Sequence, residues 1–150
     1  MSTKISIQHV GKVFGEGGHR VEALRDVCLD ITDNEFVTFV GASGCGKSTL
    51  LRIIGGLEYH TAGEVRVDDR PIMGPGADRA MVFQHYSLYP WLSVMDNIKF
   101  SRRLKHGREN LTDADVEAAS GRADALLALM GLTAAANAWP NQLSGGMQQR

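Results

Sequence analysis

The stretch that decides the fold is GASGCGKS, residues 41–48, which directly follows the apolar run EFVTFV at 35–40. It fits the pattern G-x-x-x-x-G-K-[ST], which carries meaning when a strand precedes it and a helix follows. EFVTFV is almost continuously apolar and predicts a strand covered on both faces. KSTLLRII at 47–54 predicts a short helix that ends at Gly55 and Gly56. The stretch therefore predicts a phosphate-binding loop between a buried strand and a helix.

The residue types in this loop suit phosphate binding for separate physical reasons. Gly41, Gly44 and Gly46 allow positive φ angles and turn backbone N–H groups inward toward an anion. Lys47 can reach the β- and γ-phosphate oxygens, and the Ser48 hydroxyl can bind Mg²⁺. The loop residues predicted to contact the nucleotide are Gly41, Ser43, Gly44, Cys45, Gly46, Lys47, Ser48 and Thr49. Kinases, GTPases and transport ATPases share such a loop, so alone it indicates a nucleoside triphosphate; the alternative is a glycine-rich turn with an incidental lysine.

The composition is that of an ordinary folded domain. The 150 residues are 43% hydrophobic and 22% charged, with a formal net charge of −1 and no block of Lys and Arg, so nucleic acid is not an expected partner. No run approaches the roughly 18 apolar residues of a membrane span, and the N-terminus lacks the apolar segment of a signal peptide. We therefore expect a cytosolic or peripheral protein. Cys28 and Cys45 fit a reducing compartment, and the five histidines lack metal-ligand spacing.

The chain is expected to have two parts. Residues 1–92 contain the β-rich segments ISIQHV, ALRDVCLDI, EFVTFV and RAMVFQ and the hairpin GEVRVDDRPI, which predict a nucleotide-binding core with an antiparallel β edge. Residues 93–150 predict a helical subdomain. Its helices are VMDNIKFSRRL and TDADVEAASGRADALLALMGL. In the second, the apolar residues that recur at helical spacing are Val116, Ala119, Ala123, Leu126, Leu127 and Met130.

Three further stretches narrow the class of protein. They are VGKVFG with Phe14, MVFQHYSLYPWLSVMDNI with Gln84, and the final LSGGMQQR at 143–150. In this order, with the glycine loop, they resemble the nucleotide-binding subunit of an ABC transporter over residues 5–150. The second stretch, with its Tyr-Pro-Trp-Leu-Ser-Val run and Asn97, looks most like the nitrate/sulfonate/taurine group of bacterial importers. The resemblance implies an α/β fold, a P-loop NTPase core of mixed sheet and flanking helices, joined to an ABC-type helical subdomain.

The resemblance also implies roles for two residues outside the loop. Phe14 matches the aromatic that stacks on adenine, where many members have Tyr; a stacked base contributes about 1 to 3 kcal/mol. The alternative for Phe14 is a plain core side chain. Gln84 matches the glutamine that can bind Mg²⁺ and orient the attacking water, which makes it catalytic together with Lys47. The alternative is a structural glutamine at a strand end.

Two surfaces are implied to meet other subunits. Tyr89, Pro90 and Trp91 match the socket for a helix of the membrane permease, and the alternative is a lid packed on the helical subdomain. Leu143 and the three residues Ser144, Gly145 and Gly146 match the family signature, with Met147 where many members have Gln. In the family two subunits pair head to tail, and each signature meets the γ-phosphate held by the partner's loop. A second copy of the chain is therefore an expected partner.

The implied function is ATP binding and hydrolysis with Mg²⁺, coupled to uptake of a small sulfonate-, taurine- or nitrate-like solute. The implied place is the cytoplasmic face of the cell membrane, with an external solute-binding protein as an indirect partner. The family's carboxylate strand and switch histidine follow the signature, so we expect these residues to be the N-terminal part of a longer subunit and not to turn over ATP alone. Three alternatives stay open: a soluble ABC ATPase without a membrane partner, a non-catalytic nucleotide-binding module, and a small-molecule kinase, which leaves LSGG unexplained.

Overall fold

The computed structural model describes residues 2–15, 17–85, 87–106 and 112–150. The chain forms two compact units, Met1–Val82 and Phe83–Arg150, each of which is described by itself. The predicted boundary between core and helical subdomain, at residues 92 and 93, stays a prediction. In the ranges described, no helix combines the length and the apolar character that crossing a bilayer requires.

The first unit contains a four-stranded antiparallel sheet in the order β2-β1-β3-β4. Its strands are β1 (Thr3–Phe14), β2 (Val21–Thr32), β3 (Ala62–Val67) and β4 (Arg70–Pro71). Asp68 and Asp69 join the last two, with φ angles of 49° and 61°. Positive φ at both turn residues is what a tight two-residue hairpin requires. The strands predicted from ISIQHV and ALRDVCLDI, and the predicted hairpin, are confirmed.

The core of the first unit lies between this sheet and helix α1 (Lys47–Ile54). Ile7, Val10 and Val65 of the sheet are at most 1% exposed and pack with Leu50 and Ile53 of the helix. A fully buried side chain of this kind contributes about 1.5 to 3 kcal/mol relative to an exposed one. The helix predicted after the glycine loop is therefore confirmed, and its burial fixes the loop against the sheet.

Four register shifts interrupt the pairing of β1 with β2, and the two β-bulges described here lie on either side of the Val10–Val27 pair. Ile7 pairs with Leu29 and Val10 with Val27, so two residues of β1 stand opposite Cys28 alone. Lys12 then pairs with Leu24, so two residues of β2 stand opposite a single residue of β1. Bulges of this kind bend the strand and redirect side chains.

Two predicted strands are wrong in the structure. EFVTFV at 35–40 and RAMVFQ at 79–84 have no strand assignment, and in the described part of the chain no strand pairs with either. Phe39 packs on the core, but Phe36, Val40 and Val82 are 93%, 90% and 93% exposed. The physical reason is that an inner strand needs neighbours on both sides for its backbone N–H and C=O groups. Among the described residues, the strand pairs β1–β2, β1–β3 and β3–β4 are all antiparallel.

The second unit is helical. It contains α2 (Val94–His106), α3 (Asp113–Leu129), α4 (Gly145–Gln149) and two 3₁₀ turns at Thr133–Ala135 and Pro140–Gln142. The predicted helices are confirmed. The predicted apolar face of α3 is confirmed only in part, because Ala123 and Leu127 are buried whereas Leu126 and Met130 are 52% and 42% exposed. The side chains of Val116 and Ala119 lie outside the part of the chain that is described. The two exposed residues line an open apolar groove of about 310 Å³ instead of the core.

Candidate nucleotide-binding site

The glycine loop ends in a helix start whose donors are open. Gly44 and Gly46 have φ angles of 81° and 93°. The first helical hydrogen bond runs from the Leu50 N–H to the Gly46 carbonyl, at 2.9 Å. The N–H groups of Lys47, Ser48 and Thr49 therefore precede the helical hydrogen bonds. Since they lie at the positive end of the helix dipole, they suit an anion.

The glycines at two loop positions are required by close approach. A Cβ on Gly46 would lie 2.5 Å from the Ala23 carbonyl oxygen and 2.8 Å from Cδ2 of Leu24, both on β2. A Cβ on Gly41 would lie 2.8 Å from Sγ of Cys45. A larger residue at Gly46 would have to displace the loop or β2, whereas at Gly41 it would have to move the Cys45 side chain.

The Lys47 ammonium reaches across the loop. Its Nζ donates to the carbonyl oxygens of Gly41 and Ala42, at 2.8 and 2.7 Å, and lies 3.4 Å from Sγ of Cys45. Neutral carbonyls are weaker partners for an ammonium than phosphate oxygens, so a phosphate in the loop would replace them. Ser48, the next residue, is exposed. A cation, free N–H groups and a hydroxyl thus converge on one loop, and this donor set fits a magnesium-bound triphosphate.

Phe14 lies at the end of β1 and is 39% exposed, which argues against a plain core role. The Nζ atom of Lys12 lies 4.7 Å from the centre of its ring. Much of the ring is thus open to a stacking partner, but adenine stacking stays a prediction.

Lys12 is itself held in place by an ion pair beside Phe14. Its side chain is 10% exposed, and its Nζ donates to Oε1 of Glu58 and to the Tyr59 carbonyl, both at 2.6 Å. The hydrogen bond from Lys12 is the main reason that the pKa of Glu58 lies below its ordinary value of 4.5. The pair ties β1 to the segment that follows α1.

The remaining predicted site residues belong to the second unit. Gln84 is exposed in an irregular stretch, and its role stays a prediction. The Tyr89 ring lies 5.4 Å from that of Trp91 and 4.5 Å from that of Phe100, measured between ring centres. Tyr89 is 38% exposed and Trp91 is 66% exposed, with Pro90 exposed between them. Tyr89 thus packs on Phe100 of α2, whereas Trp91 is open to solvent.

The signature segment forms the start of helix α4. Ser144 caps α4, and its Oγ accepts a hydrogen bond from the Met147 N–H at 3.4 Å. Gly145 and Gly146 are exposed. The Nε2 atom of Gln148 donates to the carbonyls of Pro140 and Leu143, at 2.8 and 3.1 Å, and so fixes the turn that presents the segment. Contact of this segment with a partner's nucleotide stays a prediction.

Comparison with known proteins agrees with this arrangement. Residues 24–150 match the family described as ABC transporter. The chain belongs to this family. Residues 41–49 of this ABC domain form one continuous loop and helix start. Phe14 is the last residue of β1 in the same unit, and Gln84 and the signature belong to the second unit.

Relatives of this ABC domain include several named transport proteins. The chain is 45% identical over its full length to an uncharacterized ABC transporter ATP-binding protein of Methanocaldococcus jannaschii, and covers 54% of that protein. It is 44% identical over 97% of its length to the nitrate import ATP-binding protein NrtD of Synechocystis, covering 52% of it. It is 42% identical over its full length to the bicarbonate transport ATP-binding protein CmpC of Synechococcus elongatus, covering 22%. The chain thus spans about half the length of the first two relatives and less of the third.

Solved structures of ABC cassettes have the same fold. A dimeric bacterial ABC transporter cassette superimposes with a TM-score of 0.80 at 35% identity, over 96% of this chain and 65% of that one. A dimeric post-hydrolysis cassette bound to ADP and Pi gives a TM-score of 0.79 at 34% identity, with the same coverage. The predicted fold class, an α/β P-loop NTPase core with an ABC-type helical subdomain, is therefore confirmed.

The sequence motifs assign no positioning role to Asn97 of this ABC domain, but the structure does. Its Oδ1 accepts from the Tyr89 N–H at 2.8 Å, and its Nδ2 lies within 3.1 Å of the carbonyls of Tyr89, Leu92 and Ser93. Ser93 caps the same helix, since its Oγ accepts from the Asp96 N–H at 3.1 Å. A Ser-x-x-Asp pattern before a helix is the signal that points to this cap. Asn97 holds the backbone of the aromatic turn.

Proposed function

We propose that this chain is the ATP-binding part of an ABC importer subunit that couples binding and hydrolysis of Mg-ATP to the uptake of a small oxyanion. The observation that carries the proposal is the glycine loop, where Lys47 and the open N–H groups of α1 converge. The names of the nitrate and bicarbonate transport relatives support the class of solute. A soluble ABC ATPase without a membrane partner is the second candidate, but the exposed aromatic turn favours the importer.

Within the proposal, each polar residue of the site has a distinct task. Ser48 and Gln84 would hold Mg²⁺, which when bound offsets charge on the phosphate oxygens. The Lys47 ammonium leaves the Gly41 and Ala42 carbonyls and binds the γ-phosphate, where a fixed cation stabilises the charge that is redistributed in the transition state. Gln84 orients the attacking water, and Phe14 stacks on adenine.

The proposed partners are a second copy of the subunit and the membrane permease. The exposed residues Ser144, Gly145 and Gly146 would reach the γ-phosphate in the partner copy, so that closure of the dimer completes the site. Tyr89, Pro90 and Trp91 would contact the permease at the cytoplasmic face of the membrane, and exposed aromatics are enriched at such interfaces. An external solute-binding protein would act through the permease.

The two cysteines allow a direct test of nucleotide binding. Cys45 lies in the loop and Cys28 on β2, and both are exposed. We expect Mg-ATP at ten times its Kd to slow maleimide labelling of Cys45 by about tenfold, because only about a tenth of the loops then stay empty. Labelling of Cys28 in the same sample should not change. The measurement is mass-spectrometric mapping of both thiols over time.

Adenosine, which has no phosphate, is the matched control and should protect neither thiol. Unchanged labelling of Cys45 in Mg-ATP would overturn the proposed loop geometry. Equal slowing of both thiols would show a general effect on the fold instead of occupancy of the loop.

The permease contact is tested with the double substitution Tyr89→Ala and Trp91→Ala in the assembled transporter. We expect solute uptake to fall by roughly tenfold or more while ATP affinity changes less than about twofold, because buried aromatic anchors dominate interface energy. Trp139→Ala is the control, since Trp139 is an aromatic residue of the same unit with 47% exposure. Loss of ATP affinity in the double variant would assign these side chains to the nucleotide site instead of the partner surface.

A further inference from the structure

A second polar cluster lies on the β1–β2 pair and contains none of the residues assigned to the nucleotide site. Nδ1 of His9 lies 2.7 Å from Oδ1 of Asp26 and 3.7 Å from Sγ of Cys28. One ligand atom from each of these three residues lies within 4.8 Å of the other two. The His9 N–H also donates to Sγ of Cys28, at 3.2 Å, which holds the sulfur beside the imidazole.

The two β-bulges bring these side chains together. Val10 and Val27 pair across the strands and face the core, so the residues next to them face the opposite, solvent side. His9 and Asp26 each lie within a bulge and have φ angles of 51° and 48°. Their side chains are 76% and 70% exposed. The irregular backbone thus places an imidazole, a carboxylate and a thiol on one outer face of the sheet.

We propose that His9, Asp26 and Cys28 form a binding site for a borderline-soft divalent metal ion, with Zn²⁺ as the type. Imidazole nitrogen, carboxylate oxygen and thiolate sulfur are the three ligand types that zinc takes in proteins. Tetrahedral zinc with bonds of about 2.0 to 2.3 Å places sulfur and nitrogen about 3.6 Å apart, and nitrogen and oxygen about 3.3 Å apart. The first separation is already met, and the second requires a movement of about 0.6 Å. The sulfur and the carboxylate oxygen lie within 4.8 Å of each other, so they also have to approach to about 3.5 Å.

The three side chains are exposed, so adjustments of their torsion angles can supply this movement. On binding, the Cys28 thiol gives its proton to solvent, and the Nδ1 lone pair of His9 faces the metal while Nε2 carries the ring proton. A hollow of about 300 Å³ lies beside His9 and Cys28 and leaves room for a water as fourth ligand. Without a metal, the same atoms form an exposed pair that contributes little to stability.

Cobalt titration of the full chain tests the site, because Co²⁺ takes zinc ligands and reports a bound thiolate by a charge-transfer absorption band. We expect saturation at one Co²⁺ per chain and displacement of the band by Zn²⁺. Cys28→Ser should abolish the band. His9→Asn and Asp26→Asn should weaken affinity by more than the roughly 10- to 100-fold that loss of an outer partner costs at a metal site. Asn is chosen because it tolerates positive φ, so the bulges are kept.

Two matched controls separate this cluster from other ligands of the chain. His19→Asn removes an exposed histidine outside the cluster, and Cys45→Ser removes the other thiol; both should keep the band and the affinity. A band that disappears in Cys45→Ser and survives in Cys28→Ser would overturn the proposal, as would binding without a thiolate band.

A thiol-protection measurement on the unsubstituted chain does not depend on folding of any variant. Zn²⁺ should slow maleimide labelling of Cys28 and leave that of Cys45 unchanged, which is the opposite of the pattern expected for Mg-ATP. Equal labelling of Cys28 with and without Zn²⁺ would overturn the metal site and leave the nucleotide proposal untouched.

Discussion

Two glycine-bearing segments of this chain begin helices, and they begin them differently. The loop before α1 ends in Gly46, which has φ 93° and makes no side-chain cap, and the helix buries Leu50 and Ile53. The segment before α4 begins with Ser144, whose hydroxyl caps the helix, and no residue of that helix is buried. The start of α1 leaves its backbone N–H donors open, and its helix is buried against the sheet. The start of α4 is exposed, and the Ser144 hydroxyl already accepts from one of its N–H donors.

The difference indicates which segment can bind phosphate alone. A rigid loop with an adjacent ammonium is ready for an anion before any partner arrives, because little has to be reordered on binding. The signature turn offers one hydroxyl and exposed glycine backbone, so it can add to a phosphate already held elsewhere. Matched substitutions at the two helix starts test this difference, and we expect loss of the Lys47 ammonium to change nucleotide binding most.

Lys47→Ala and Ser144→Ala form the first test. Lys47→Ala should weaken ATP binding to the chain by roughly 100-fold, because a charge-assisted contact with phosphate contributes up to about 3 kcal/mol. Ser144→Ala should change the affinity by less than about twofold, since we propose that its segment meets nucleotide only in a closed dimer. Calorimetric titration with Mg-ATP measures both. Equal losses in the two variants would break the contrast.

The second test compares Gly46→Ala with Gly146→Ala by denaturant unfolding. At Gly46 the added Cβ meets the Ala23 carbonyl and the backbone has positive φ, so we expect a loss of about 2 kcal/mol. At Gly146 a Cβ has no heavy atom within 4 Å, so the change should stay within about 0.5 kcal/mol. An unchanged free energy of unfolding in Gly46→Ala would mean that the loop can move away from β2 without loss of stability.

The third test concerns how each helix end is held. After α1, Lys12 binds Glu58, whose pKa is below its ordinary 4.5. Its contribution is therefore present above pH 4.5 and is lost as the pH falls through the lower folded value. After α4, Arg150 donates to the Met130 carbonyl, which does not titrate.

Amide exchange protection factors measured between about pH 6 and pH 3 should show this difference. The Leu57 N–H, which donates to the Arg52 carbonyl, should lose protection by a few-fold on acidification, and the Gln148 N–H should lose less. Glu58→Gln removes the titrating group and should flatten the response of Leu57. An unchanged acid response in that variant would assign it to another group.

Local patterns in the sequence were enough for the elements that carry the loop. The glycine spacing, the apolar residues of α1 and the alternating segments of β1 and β2 each encode their structure within a few residues. Family resemblance then supplied the order of the motifs. These are features for which the neighbouring residues in the chain provide most of the determining contacts.

Features that depend on distant contacts could not be predicted in the same way. The run at 35–40 has a strand composition, but composition does not provide a pairing partner. Leu126 and Met130 have helical spacing, yet they line a groove because nothing in the spacing says which part of a face is covered. The His9 and Cys28 pair is separated by 19 residues and is joined by bulges, which have no reliable sequence signal.

The hydrogen bonds of Asn97 give the aromatic turn a mechanical property. This side chain lies on α2 and is bonded to the backbone of Tyr89, Leu92 and Ser93. These hydrogen bonds connect the aromatic turn to α2, so a displacement of one also displaces the other. A force on the exposed Trp91 ring therefore moves the backbone of the first turn of α2 and does not only rotate the side chain.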